Sequence, residues 1–138
     1  MDIRKYTLEE LKGDYPKIYT QVFGEFDSNH IPGYIYLGFR DEVYMGFMAG
    51  YYHDRITFYI QRTGTTPDLR GKHLAQGILE DVMKYLKTEE KVIFLLAQIE
   101  TTNLPAIITA LHTGWLINGY FTDTAGTAYI RIIKDLRG

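Results

Sequence analysis

The 138-residue sequence contains no cysteine, only four prolines and a single tryptophan. Without cysteine there is no disulfide, no thiolate metal site and no cysteine nucleophile. The prolines are scattered, so no Pro-rich linker divides the chain, and no internal repeat or low-complexity tract is present. Charge of either sign is nearly balanced: 15 Lys and Arg against 17 Asp and Glu give a net −2. No global field therefore draws the chain to nucleic acid or to an acidic membrane surface. No stretch approaches the roughly 20 apolar residues of a membrane-spanning helix. The start, Met1-Asp2-Ile3-Arg4-Lys5, lacks the apolar run of a signal peptide, so a cytoplasmic location is expected. The four histidines, His30, His53, His73 and His112, show no metal-ligand spacing, and no metal is expected.

What is present is ordinary for one soluble globular domain, here expected to span residues 1–138: 46% hydrophobic and 23% charged residues. Aromatics stand at 14%, 12 of them Tyr, which favours a strand-rich fold. Residues 2–7 read as a short strand, after which Thr7 and Glu10 form a capping box for a helix carrying Leu8, Leu11, Tyr15, Ile18, Val22 and Phe23, with Pro16 as a kink or break. Residues 24–33 read as a loop or a short second helix. Three strands follow, at 34–40, 43–52 and 55–65, turned at Asp41-Glu42 and at His53-Asp54.

Beyond Pro67 the pattern becomes helical, with Leu74, Ile78, Leu79, Val82, Met83 and Leu86 on one face. The run 92–97 is continuously apolar, as a buried central strand requires, and extends to about Glu100. A helix over 104–112 has Asn103 as N-cap, Pro105 in its first turn and Gly114 at its end. Strands near 115–122 and 128–134 close the chain. The order β-α-(α)-β-β-β-α-β-α-β-β describes an α+β domain around a mixed sheet.

The most informative segment joins the third of the successive strands to the long helix: Thr65-Thr66-Pro67-Asp68-Leu69-Arg70-Gly71-Lys72-His73-Leu74-Ala75. A loop that opens a helix points N–H groups outward beside the positive helix end, where phosphate binds well. Gly71 allows close approach of a ligand, and Arg70 and Lys72 add charge. It is neither a Walker loop nor G-x-G-x-x-G, and taken alone it also fits an ordinary capped helix with a basic first turn.

This segment resembles motif A of the GNAT N-acetyltransferase superfamily, in which a strand ends in V-x-P-x-x-[RQ]-x-x-G-x-[GA] and leads into a helix. Pro67, Arg70, Gly71, Lys72 and Ala75 match it. Downstream, Ile99, Asn103, Ala106, Gly114 and Trp115 fill a second family pattern, a strand end followed by N-x-x-A, a short helix and G-F. Element order agrees over essentially the whole chain. The resemblance implies an acetyl-CoA-dependent N-acetyltransferase. Acetyl-CoA would be the co-substrate, its pyrophosphate on the backbone of Arg70, Gly71, Lys72, His73, Leu74 and Ala75. Its pantetheine arm would run between two splayed parallel strands, past Thr63 and Thr65 on one and with Asn103 and Ala106 beyond the other. A primary amine of a small molecule or a protein would attack the thioester directly.

The departures bear on activity. His73 stands at the motif's glycine, either as a phosphate contact or as a solvent-facing helix residue. Ala110 stands where relatives often carry a tyrosine general acid, a role His112 or a nearby Tyr could fill. Glu100 is the candidate base, or else an exposed strand-end carboxylate. Glu25, Asp27, Tyr34 and Tyr120 are candidates for recognising a cationic or aromatic acceptor. Expected partners are a CoA thioester and an amine, with a homodimer as a further candidate, and neither nucleic acid nor membrane. The competing reading is a catalytically impaired GNAT-like domain that binds CoA or a protein without turnover. Nucleic-acid binding through Arg55, Arg62, Arg70 and Lys72 fits the acidic balance poorly.

Overall fold

The structure is a computed structural model that describes residues 2–66 and 74–138, with residues 74–78 described in their backbone only. Chain order is β1 (Asp2–Thr7), α1 (Tyr15–Phe23), β2 (Tyr34–Arg40), β3 (Val43–Asp54), β4 (Thr57–Thr65), α2 (Leu74–Thr88), β5 (Phe94–Glu100), α3 (Leu104–His112), β6 (Leu116–Thr122) and β7 (Ala128–Asp135). The strands form one seven-stranded mixed sheet in the order β1-β2-β3-β4-β5-β7-β6, the α+β architecture expected. Among the described residues no helix is long and apolar enough to cross a membrane. Two compact units make up the chain: residues up to Tyr51 together with 60–91, and residues 52–59 together with 92–138.

In the first unit the capping box forms, but it closes a turn and not a helix. Thr7 N donates to Glu10 Oε1 at 2.9 Å and Glu10 N to Thr7 Oγ1 at 3.2 Å. Residues 8–14 then turn, with Leu11 N on Leu8 O and Asp14 N on Leu11 O. The helix starts at Tyr15 because Pro16, lacking an N–H and crowding the preceding turn, is accepted only in a first turn. Pro16 therefore opens α1 and does not kink it. Gly24, at φ 81°, ends it, and 24–33 continues as loop.

Tyr15, Tyr19 and Val22 of α1 are buried against Ile35, Leu37, Phe47 and Ala49 of β2 and β3. An edge-on ring contact of Tyr15 with Phe47 (5.8 Å) fixes the helix on the sheet, and one with Phe26 (6.2 Å) packs the following loop against it. Asp41 and Glu42, at φ 52° and 64°, make the tight β2–β3 turn their hairpin needs. Gly46 lets β3 and β4 meet closely: a Cβ there would stand 2.5 Å from the Gly64 carbonyl oxygen.

In the second unit, the turn into β4 lies at 55–56, one step later than His53-Asp54, because Asp54 Oδ1 accepts the Ile56 N–H at 2.9 Å and nucleates the turn there. His53 is thus a strand residue. Residues 57–59 pair in parallel with 94–96, and both strands run on, β4 to Thr65 and β5 to Glu100. β5 pairs antiparallel with β7 along its whole length. Asn103 caps α3, its Oδ1 accepting from Ala106 N at 3.4 Å, and Gly114 at φ 93° releases the chain into β6. Leu95, Ala110, Trp115 and Ile132 are among the buried apolar residues of this unit.

Candidate functional site

The C-terminal stretch of β4 belongs to the first unit. Thr63 Oγ1 donates to Phe47 O at 3.3 Å, Thr65 is buried, and Thr66 N donates to Met45 O at 3.2 Å. These bonds tie the end of β4 to β3. Arg70, Gly71, Lys72 and His73 lie outside the described residues. Leu74 and Ala75 are the first two residues of α2, as the motif requires, with their side chains outside the described set.

Arg62, on the same strand, organises a polar cluster that sequence reasoning did not assemble. Its Nε donates to Tyr19 Oη (3.1 Å), Nη1 to Gln61 O (2.8 Å) and Nη2 to Asp27 Oδ2 (3.3 Å). Burial works against the guanidinium charge, but the Tyr19 bond and the Asp27 carboxylate outweigh it and raise its pKa further. Next to it Tyr15 Oη and buried His30 Nε2 stand 2.6 Å apart. Burial, aided by the positive Arg62 and opposed by Asp27, lowers the His30 pKa to about 4. Burial likewise pushes the Tyr15 hydroxyl well above the usual phenol range. At neutral pH the pair is therefore a phenol O–H donating to a neutral imidazole.

Asp27 alone of the four predicted acceptor residues joins this cluster, and about 40% of its side chain is exposed. Glu25 is exposed on the same loop. Tyr34 opens β2 and takes the Lys5 ammonium over its ring at 4.5 Å. Tyr120 is 69% exposed on β6, in the other unit. The missed signal was the spacing of Tyr15 and Tyr19, one helical turn apart and so on one face with Val22.

The second unit carries the remaining predicted residues. Glu100 ends β5, exposed, and its carbonyl accepts from Asn103 N at 2.9 Å. Asn103 spends its side-chain oxygen on the cap, where it accepts from Ala106 N. Ala106 is half-buried. His112 is exposed at the far end of α3, about 12 Å of helix beyond Leu104. Glu100 thus stands beside the start of α3 and His112 at its other end. Among the described residues no cluster of three or more His, Asp or Glu side chains could hold a metal ion. A groove of about 390 Å³ lined by Asp2, Ile3, Lys84 and Tyr85 contains none of the predicted residues.

Residues 2–115 match the model of the acetyltransferase (GNAT) family. No curated protein sequence gives a significant match to the chain. Solved structures of similar fold include a GNAT family acetyltransferase from Elizabethkingia anophelis with acetyl-CoA bound. It has a TM-score of 0.68 and 14% identity, over 98% of this chain and 97% of that one. A variant of the spermidine N-acetyltransferase of Vibrio cholerae gives 0.71 at 10% identity, over 98% and 95%. The IAA acetyltransferase of Bacillus cereus gives 0.63 at 12% identity, over 98% and 99%. At such identities these likenesses establish the fold alone.

Proposed function

This chain belongs to the GNAT acetyltransferase family, and from that premise we propose that it transfers the acetyl group of acetyl-CoA to a primary amine of a small molecule or a protein. The observation that carries the reading is the family match over residues 2–115, which spans both sequence motifs. The parallel register of β4 and β5 over 57–59 and 94–96, with both strands running on, supports it.

Residues 70–75, opening α2, would hold the pyrophosphate through backbone N–H groups at the positive helix end. Backbone groups of 62–65 would pair with the pantetheine amides as an added strand does. The half-buried Ala106, with its small side chain, and the amide hydrogens left on Asn103 suit that arm on the α3 side. The acceptor amine would attack the thioester carbonyl. A C–N bond forms, the C–S bond breaks, and the amine proton passes to Glu100 directly or through water. The leaving thiolate, with a pKa near ~8.5, asks less of a general acid than an alkoxide would, and His112 is the candidate to protonate it. Asp27 and Glu25 offer negative charge to a cationic amine, and Tyr34 and Tyr120 offer aromatic faces.

The test is acetyl-CoA binding by calorimetry to the wild type and to Gly71→Glu. A carboxylate at that close approach should abolish binding while leaving thermal unfolding unchanged, and equal affinities would refute the assignment. Ala110, at the position where the family often has a tyrosine, favours one second reading: a domain that binds acetyl-CoA and turns none over. Binding without product across a panel of amines would select it.

A further inference from the structure

Arg62 carries more hydrogen-bonding capacity than the fold uses. A guanidinium has five N–H bonds. Nε, Nη1 and Nη2 each use one, on Tyr19 Oη, Gln61 O and Asp27 Oδ2. Among the described residues, one N–H on each terminal nitrogen is left over, and 39% of the side chain is exposed. One hydrogen on each terminal nitrogen is what a guanidinium needs to grip a carboxylate as a fork. The three bonds already made hold its plane in place, so seating a ligand orders little more. Asp27 does not fill the fork. Its Oδ2 meets Nη2 alone, at 3.3 Å, while Oδ1 accepts from Asn29 N at 3.0 Å.

The surroundings narrow what could sit there. Arg62 and Gly64 lie two apart on β4 and so face the same side of the sheet. A Cβ on Gly64 would touch Val22 and stand 3.5 Å from the Phe23 ring, which puts the end of α1 on that side. Phe23 is 43% exposed and packs on the Tyr19 ring at 4.8 Å, so an apolar wall adjoins the donors. Arg62 and Asp27 offset each other's charge, and the neighbouring Tyr15–His30 pair is neutral. A polyamine would bring a second ammonium against Arg62, and a dicarboxylate a second anion against Asp27. A zwitterion with one charge of each sign side by side matches the pair. A protein N-terminus has an amide where this ligand has its carboxylate, and an amide offers the fork no charge.

From these observations we infer that the acceptor is a free amino acid with an apolar side chain, its carboxylate held by the two remaining Nη hydrogens of Arg62 and its side chain against Phe23. The inference rests on the acetyl-transfer reading, in which the backbone of 62–65 carries the pantetheine, so that a small molecule seated on Arg62 brings its amine to the strand that carries the thioester.

Calorimetric titration of phenylalanine and leucine, and of their carboxamides, into the protein saturated with CoA tests this without requiring turnover. Each amino acid should bind at least about tenfold tighter than its amide, the scale of hydrogen bonds to a charged group. Arg62→Gln should bring acid and amide level, and Arg62→Lys, which keeps the charge but not the fork, should retain only part of the preference. Spermidine and glutamate should bind more weakly than either amino acid. The acid-against-amide comparison on the wild type decides the matter if Arg62→Gln fails to fold. CoA bound, with acid and amide held alike or neither held, would overturn the inference and leave the acetyl-transfer reading standing. A preference for the acid that survives Arg62→Gln in folded protein would overturn it too. Failure to bind CoA at all would instead strike the underlying reading, and the inference with it.

Discussion

Acidification should expose the His30–Tyr15 pair as a pH-dependent element of stability. His30 is buried, and its pKa in the fold is lowered to about 4 from 6.5. Between those values the unfolded chain binds a proton that the folded chain refuses, so stability falls as pH drops through this window and levels off below it. A difference of about 2.5 units corresponds to roughly 3 kcal/mol, a large share of the ~5–15 kcal/mol that holds a typical domain. Other acids titrate nearby, so the comparison is with His30→Gln, which keeps an acceptor for the Tyr15 hydroxyl but has no titration of its own. Urea unfolding, followed through the single tryptophan, buried Trp115, would be measured from pH 7.5 to 4. The variant should be the less stable at pH 7, having lost the ring contacts of His30 with Tyr15 and Tyr19. The gap should shift by about 3 kcal/mol in the variant's favour by pH 4. Curves that stay parallel would refute the buried, neutral His30.

Two further perturbations address the proposed cofactor side. Gly46→Ala places a methyl against the Gly64 carbonyl, backbone that cannot rotate away, and should cost about 1–3 kcal/mol. Because it displaces 64–65, acetyl-CoA affinity measured by calorimetry should fall as well. Asn103→Ala removes the α3 cap at about 1 kcal/mol or less, given its 3.4 Å bond, whereas Asn103→Ser keeps a capping oxygen. If Asn103 also meets the pantetheine, Ser should restore the unfolding midpoint but not the KM for acetyl-CoA.

How much could be read from sequence depended on whether the deciding interaction was local. Strands 34–40 and α3 over 104–112 were legible to the residue because the turn at Asp41-Glu42, the Asn103 cap, Pro105 and Gly114 all act within a few positions. The Thr7–Glu10 box misled because the same hydrogen bonds serve a turn or a helix, and Pro16 decided between them. The Arg62 cluster was invisible for the opposite reason. Its bonds join residues 35 and 43 positions apart, and a lone histidine carries no mark of the tyrosine that will bury it. Motif A was legible as a resemblance, while 67–73 lie outside the described residues.

Acetyl transfer from acetyl-CoA to an amine is tested most directly by following free thiol and acetylated product together over a panel of polyamines, amino acids and peptide N-termini. At least one acceptor should yield thiol and N-acetyl product in equal amounts, identified by mass spectrometry, and Gly71→Glu should abolish both. Thiol release without an acetylated amine, or no turnover with any acceptor at saturating acetyl-CoA, would contradict it.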